Sequence, residues 1–214
     1  MTSRAAPTVM ETAGREAPEV VLASASRSRL ELLRRAGLHL RAEPARVDES
    51  EVKTSLRAEQ ADAAAAAETL AELKASKVSL RAPGALVIGA DQILDCEGRW
   101  FDKPPDRTAA VAHLRALGGK THALATAVCV VRDGVRIWHR REAPRLTMRP
   151  LDGVFIESYL DAAGPGVLET VGAYRLEDLG AQLFTKVSGD YFTILGLPLL
   201  PLLGFLREHG VPAP

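Results

Sequence analysis

The run "ALVIGADQIL", residues 85–94, sets a carboxylate in the middle of an otherwise apolar segment. Its length and β-branched content predict a strand buried among other elements. An ionised Asp91 there is costly unless a cation, a hydrogen-bond donor or a metal ion meets it. Whatever the chain folds into must bring such a partner to the sheet. Strand geometry sends Asp91 and Gln92 to opposite faces, so one of them faces a cleft or both lie near an edge. A partnered Asp91 could serve structure alone, but buried strand carboxylates cluster at reactive sites.

The segments around this strand alternate in type. "EVVLA", 19–23, reads as a short buried strand. "LASASRSRLELLRRAG", 22–37, leads from it into a helix, with Ser28 and Glu31 as a capping box, Leu30, Leu32 and Leu33 inward, and Gly37 as the stop. "AEQADAAAAAETLAELKASKVSL", 58–80, is an alanine-rich helix ending before Pro83-Gly84, and "DCEGRW", 95–100, is the turn after the central strand. Residues 105–119 predict a helix, 121–148 a strand, an Asp-Gly turn and a strand, and 152–164 a helix. Mixed strand and turn follow over 180–194, and "LPLLPLLGFLREHG", 197–210, is the last helix. This order predicts an α/β fold with a mixed sheet, and the length allows one large domain or two coupled lobes over 19–210. Residues 1–18 lack the apolar core of a signal peptide and are expected to form a disordered tail.

Charge narrows the functional classes. Twenty-seven lysines and arginines balance 27 acids, so no bulk basic field draws the chain to nucleic acid or to a membrane surface. An anion site has to be built locally. Cys96 and Cys129 form no paired motif, which argues against a disulfide or a zinc site and for the cytoplasm. The uncharged run "YFTILGLPLLPLLGFL" is too short to span a membrane.

Three places could hold chemistry. Ser24, Ser26 and Ser28, with Arg27 and Arg29, stand where a helix N-terminus offers free N–H groups to an anion; taken alone, the stretch favours plain capping over phosphate binding. The second place is Asp91, with Lys103 twelve residues on in "FDKPP", held before two prolines. The third, 169–199, has Gly172, Gly180, Gly189 and Gly196 at tight turns or close to a ligand, and Glu177 in a loop. A glutamate can accept from the two adjacent N–H groups of a guanine edge, or simply be solvated. Whether Lys186 and Asp190 touch a ligand or shape a turn is open.

Taken in order, "LASASRSRLELL", "RVDE", "ELKA", "VIGADQ", "DKP", "GKTHALAT", "VGAYRLEDLG" and "SGDYFTILGLPL" resemble the Maf proteins over roughly residues 19–207. The resemblance implies a two-lobed α/β fold like that of the inosine-triphosphate pyrophosphatases, a long curved mixed sheet flanked by helices around a central cleft. It implies a homodimer that cuts a nucleoside triphosphate to the monophosphate and pyrophosphate with a divalent cation, Mg²⁺ or Mn²⁺. By the same resemblance Asp91, Lys103 and Glu49 are catalytic, with Glu49 and Asp91 holding the metal. Ser24, Arg29 and Lys74 bind phosphate. Two departures touch the first loop: the family's usual proline is Arg27, and a frequent second cation is Leu30. Arg27 is expected to replace that charge.

Members acting on dTTP and UTP tend to carry Arg, Thr and Gln at the positions of Ser28, Gln92 and Glu177. Those acting on 7-methyl-GTP carry a non-arginine, Gln and Glu, which this chain resembles. A carboxylate at 177 would repel the carbonyls of uracil and thymine. The rivals are a dTTP/UTP pyrophosphatase, an enzyme removing only the terminal phosphate, and a non-catalytic nucleotide-binding regulator of cell division.

Overall fold

The structure is a computed structural model and describes residues 17–212, so the expected tail lies outside it except for its last two residues. Strand β1 (Val20–Leu22) feeds helix α1 (Arg27–Arg35), and β2 (Arg41–Ala42) precedes α2 (Glu49–Ala58) and α3 (Ala63–Ser79). Then come β3 (Leu86–Cys96), β4 (Arg99–Phe101), α4 (Arg107–Leu117), β5 (Thr121–Arg132), β6 (Val135–Glu142) and β7 (Arg145–Met148). Helix α5 (Gly153–Ala163) opens a stretch of short 3₁₀ turns. The chain closes with β8 (Phe184–Ser188), α6 (Tyr191–Ile194) and α7 (Leu199–Glu208).

Eight strands form one mixed sheet in the order β2-β1-β3-β5-β7-β8, with β4 added to β3 and β6 to β5. β2, β1 and β3 run parallel, and the other pairs are antiparallel. The backbone of the sheet is the long β3–β5 ladder, paired from Val87–Val131 to Asp95–Ala123. Its two ends carry different neighbours. At one end α3 covers one face, packing Ala67, Leu70 and Ala71 on Val87, Ala127 and Cys129. α1 and α7 cover the other face, over Leu22, Ile88, Val128 and Val130. At the far end Leu94, Leu124, Leu146 and Met148 pack with α4 and α5. The alternation of strand side chains between faces produces these separate cores from one ladder.

Between the two ends the sheet has a notch. β1 pairs with β3 only as far as Leu22–Ile88, and β4 joins β3 only from Leu94. One edge of β3 around Asp91 and Gln92 therefore has no strand beside it. Of the two alternatives, the edge position holds for both residues, and their side chains leave that edge on opposite faces of the strand.

Close packing at the same place depends on Gly89. A Cβ on Gly89 would lie 2.1 Å from the Ala71 carbonyl oxygen and 2.8 Å from Ala75 Cβ. The missing side chain lets α3 settle directly on β3. Gly89 and Asp91 share a strand face, and Lys74 is three residues along α3 from Ala71, so this approach also sets the reach of Lys74 to Asp91.

Local structure departs from expectation in three places. The N-cap of α1 is Ser26, whose Oγ accepts from Arg29 N at 3.4 Å, and Ser28 lies inside the helix, so the Ser28–Glu31 box does not form. Gly37 does end the helix, at φ 84°. α3 begins at Ala63 behind Asp62 rather than at Ala58. The preceding α2 was not foreseen: Asp48 caps it, accepting from Ser50 N and Glu51 N at 3.1 Å each, and none of its residues is fully buried. Cys96 and Cys129 are both free and buried. Among the described residues no helix is long and apolar enough to cross a membrane.

Candidate active-site cleft

The notch opens into a cleft of about 440 Å³, and the nine residues to which the family resemblance assigns a role all line it: Ser24, Ser28, Arg29, Glu49, Lys74, Asp91, Gln92, Lys103 and Glu177. That volume is within the range of small-molecule sites, about 300–1,000 Å³.

The first loop is built around Arg29. Its buried guanidinium donates from Nε to Gly196 O at 2.9 Å, and from Nη1 to Ala90 O at 2.9 Å and Ser24 Oγ at 3.2 Å. Ala90 is in the unpaired stretch of β3, so Arg29 supplies the donor that a missing strand would have offered. Nη2 makes no hydrogen bond among the described residues. Burial pulls the guanidinium below its ordinary pKa, opposed by the charges of Asp91 and Glu49. Ser24 Oγ also accepts from Ser26 N at 3.2 Å. With both acceptor positions used, its O–H is left to donate into the cleft.

The partner that Asp91 required is Lys74. Its buried Nζ is 2.6 Å from Asp91 Oδ1 and 2.7 Å from Glu49 Oε1. The cap at Asp48 places Glu49 on the first turn of α2, within reach of Lys74. Burial pushes the Glu49 carboxyl upward, but Lys74, Lys53 and Arg29 together hold it below its ordinary range. Asp91 Oδ2 is buried with no hydrogen-bond partner. Among the described residues no three His, Cys, Asp or Glu side chains gather into a metal cluster. The oxygens of Glu49 and Asp91 still suit Mg²⁺ or Mn²⁺, which take one or two carboxylates and complete their shell with water and phosphate.

Gln92 faces the other way. Its Nε2 donates to Thr126 Oγ1 at 2.8 Å, Thr193 O at 3.0 Å and Ile194 O at 3.3 Å. Two of these are carbonyls that only accept, so the amide orientation is settled and Oε1 remains as an acceptor. Glu177 lines the cleft from an exposed loop without a hydrogen bond or ion pair among the described residues. Tyr174 walls this end, its hydroxyl 2.7 Å from His122 Nε2. Burial takes the His122 imidazole down to about 4, so it is neutral in the core at neutral pH.

Sequence reasoning missed Lys53, Asp102 and Tyr174, which also line the cleft. Lys53 had a signal, since it follows Glu49 by one helical turn, but only once α2 is known to be a helix. Arg27 is exposed and does not line the cleft, so it does not replace the missing loop charge. It precedes Arg29 by two residues in the helix, about 200° round the axis, so it points away from the buried guanidinium and faces water. Lys186 and Asp190 stand outside as well; Asp190 caps α6, accepting from Thr193 N at 2.7 Å. Of the four glycines, only Gly196 is at the cleft, where its carbonyl holds Arg29.

The profile of the family described as Maf-like protein matches residues 19–209. A "nucleoside triphosphate pyrophosphatase" of Paramagnetospirillum magneticum is 57% identical over 91% of this chain and 100% of its own length. The protein of that name from Rhodospirillum rubrum is 52% identical over 91% of this chain and 96% of its own. A "7-methyl-GTP pyrophosphatase" of Rhizobium etli is 49% identical over 90% of this chain and 97% of its own.

Proposed function

The chain belongs to the Maf family, and from that premise we propose that it hydrolyses a nucleoside triphosphate to the monophosphate and pyrophosphate. The observation that carries this reading is the Glu49–Lys74–Asp91 bridge beside an unpartnered, buried Asp91 Oδ2. One carboxylate oxygen is fixed by a cation and the other is free to take a proton. Asp91 then orients the attacking water and accepts its proton as it meets the α-phosphorus. Arg29, through Nη2, and Lys103 neutralise charge that builds on the phosphate chain, while Ser24 donates to it. Arg29 needs no reorganisation for this, because two backbone carbonyls already hold it. A divalent cation, held by Glu49 and Asp91, would polarise the phosphate oxygens and bring the water into line.

We take the base to be guanine-like, and 7-methyl-GTP to be the substrate. Gln92 Oε1 and Glu177 each present an acceptor, which suits the N–H donors of a guanine edge and opposes the carbonyls of uracil and thymine. The likeness to the Rhizobium etli protein supports the same choice.

The test is pyrophosphate release from 7-methyl-GTP, GTP, CTP, UTP and dTTP with Mg²⁺ or Mn²⁺. Release from 7-methyl-GTP should exceed the rest. Release mainly from UTP and dTTP would keep the reaction and discard the guanine reading. Orthophosphate instead of pyrophosphate would mean cleavage at the terminal phosphate, and binding without any release would mean a nucleotide sensor. A second prediction concerns the loop carboxylate. Glu177→Gln should lower kcat/KM for 7-methyl-GTP relative to UTP by about tenfold, the cost of one charge-assisted hydrogen bond. An unchanged ranking of substrates sinks the role given to Glu177.

A further inference from the structure

Glu49, Lys53 and Arg57 recur every four residues on one face of α2. They meet three different partners in turn. Glu49 reaches Lys74 at 2.7 Å, Lys53 Nζ reaches Asp102 Oδ1 at 2.5 Å, and the Arg57 guanidinium lies 4.9 Å over the Trp100 ring. Trp100 is in β4 and Asp102 directly follows it, so α2 is strapped to β4 beside the cleft, which Glu49, Lys53 and Asp102 line. Beside these polar ties, Val52 and Leu56 of α2 pack partly buried against the core under α3.

The Lys53–Asp102 pair is lopsided. The Lys53 side chain is 12% exposed and lines the cleft, while that of Asp102 is 56% exposed. A carboxylate so open to water holds its partner weakly, and it loses little by turning outward into solvent. A phosphate chain in the cleft carries more charge and sits in a less watery place, so it is the better partner for a sunken ammonium. We propose that Lys53 is a phosphate-binding residue of this cleft, parked on Asp102 until the phosphate chain of the substrate displaces that carboxylate. This rests on the phosphate-site reading above. It assigns the family position occupied by Leu30 no replacement in the first loop; the added charge comes from α2 instead.

The test is calorimetric titration of inorganic pyrophosphate into the full chain with Mg²⁺, for the wild type and four variants. Lys53→Met should weaken binding about tenfold, and Lys53→Arg should keep most of it. Asp102→Asn should tighten binding several-fold, because it frees Lys53, and should do nothing in the Lys53→Met background. The opposite signs matter, since a purely structural strap would make Lys53→Met and Asp102→Asn fail alike. Wild-type affinity in Lys53→Met overturns the proposal. So does weakening by Asp102→Asn, or tightening that persists without Lys53. If the wild type binds no pyrophosphate, the phosphate-site reading itself falls, and Lys53 with it.

Discussion

Asp91→Asn lowers turnover by about a hundredfold or more at saturating substrate and metal, as removal of a positioned general base does. Asparagine keeps the shape and one acceptor oxygen for Lys74, but its amide cannot take a proton. The loss should therefore fall on kcat, with KM changed far less, because Ser24, Arg29 and Lys103 still face the phosphates. The fold should survive, since Lys74 keeps Glu49 at 2.7 Å. Single-turnover and steady-state rates on protein with an unchanged unfolding midpoint make the test. Near-normal turnover in Asp91→Asn would remove Asp91 from the chemistry and leave it a structural partner of Lys74.

Gly89→Ala should damage both stability and activity, although residue 89 touches no ligand. One methyl group would have to occupy space 2.1 Å from the Ala71 carbonyl oxygen. That atom is helix backbone, so no side-chain rotation relieves the clash, and α3 must lift from β3. Overpacking of this kind costs about 1–3 kcal/mol, occasionally more. The lifted helix carries Lys74 with it, so the 2.6 Å contact to Asp91 stretches. The expected result is a urea midpoint reduced in line with that cost, together with a fall in kcat of about tenfold or more, since misplacement on the scale of an ångström is enough. An unchanged midpoint rejects the close-packing account. A lowered midpoint with full activity separates the packing from the site.

Much of this was legible in the chain. A carboxylate within "VIGADQIL" had to be met, and Lys74 meets it. The alternation of segments announced a mixed sheet, and Asp133-Gly134, both at positive φ, turn β5 into β6 as the sequence suggests. Other features had no local signal. α2 buries no residue completely, so it has no strong apolar stripe to read, only the cap at Asp48. Ser26 and Ser28 are equally good caps on paper. The choice goes to Ser26 with Arg29 drawn inward to Ala90 O and Gly196 O, contacts 61 and 167 residues away in the chain. Gly89 looks like a defect in a strand until α3 lies on it. Glu177 read as a solvated acid, and only the resemblance to a family gave it a role, because nothing nearby in sequence marks the cleft that it borders.

The lining of that cleft holds five cationic side chains and five carboxylates. Matched charge of this kind exerts little pull at a distance, so the cleft does not gather polyanions from solution as a basic groove would. Nucleotides of every sort therefore arrive at rates set by diffusion and orientation. The sorting among them falls to short-range fit at the base, after the encounter rather than before it.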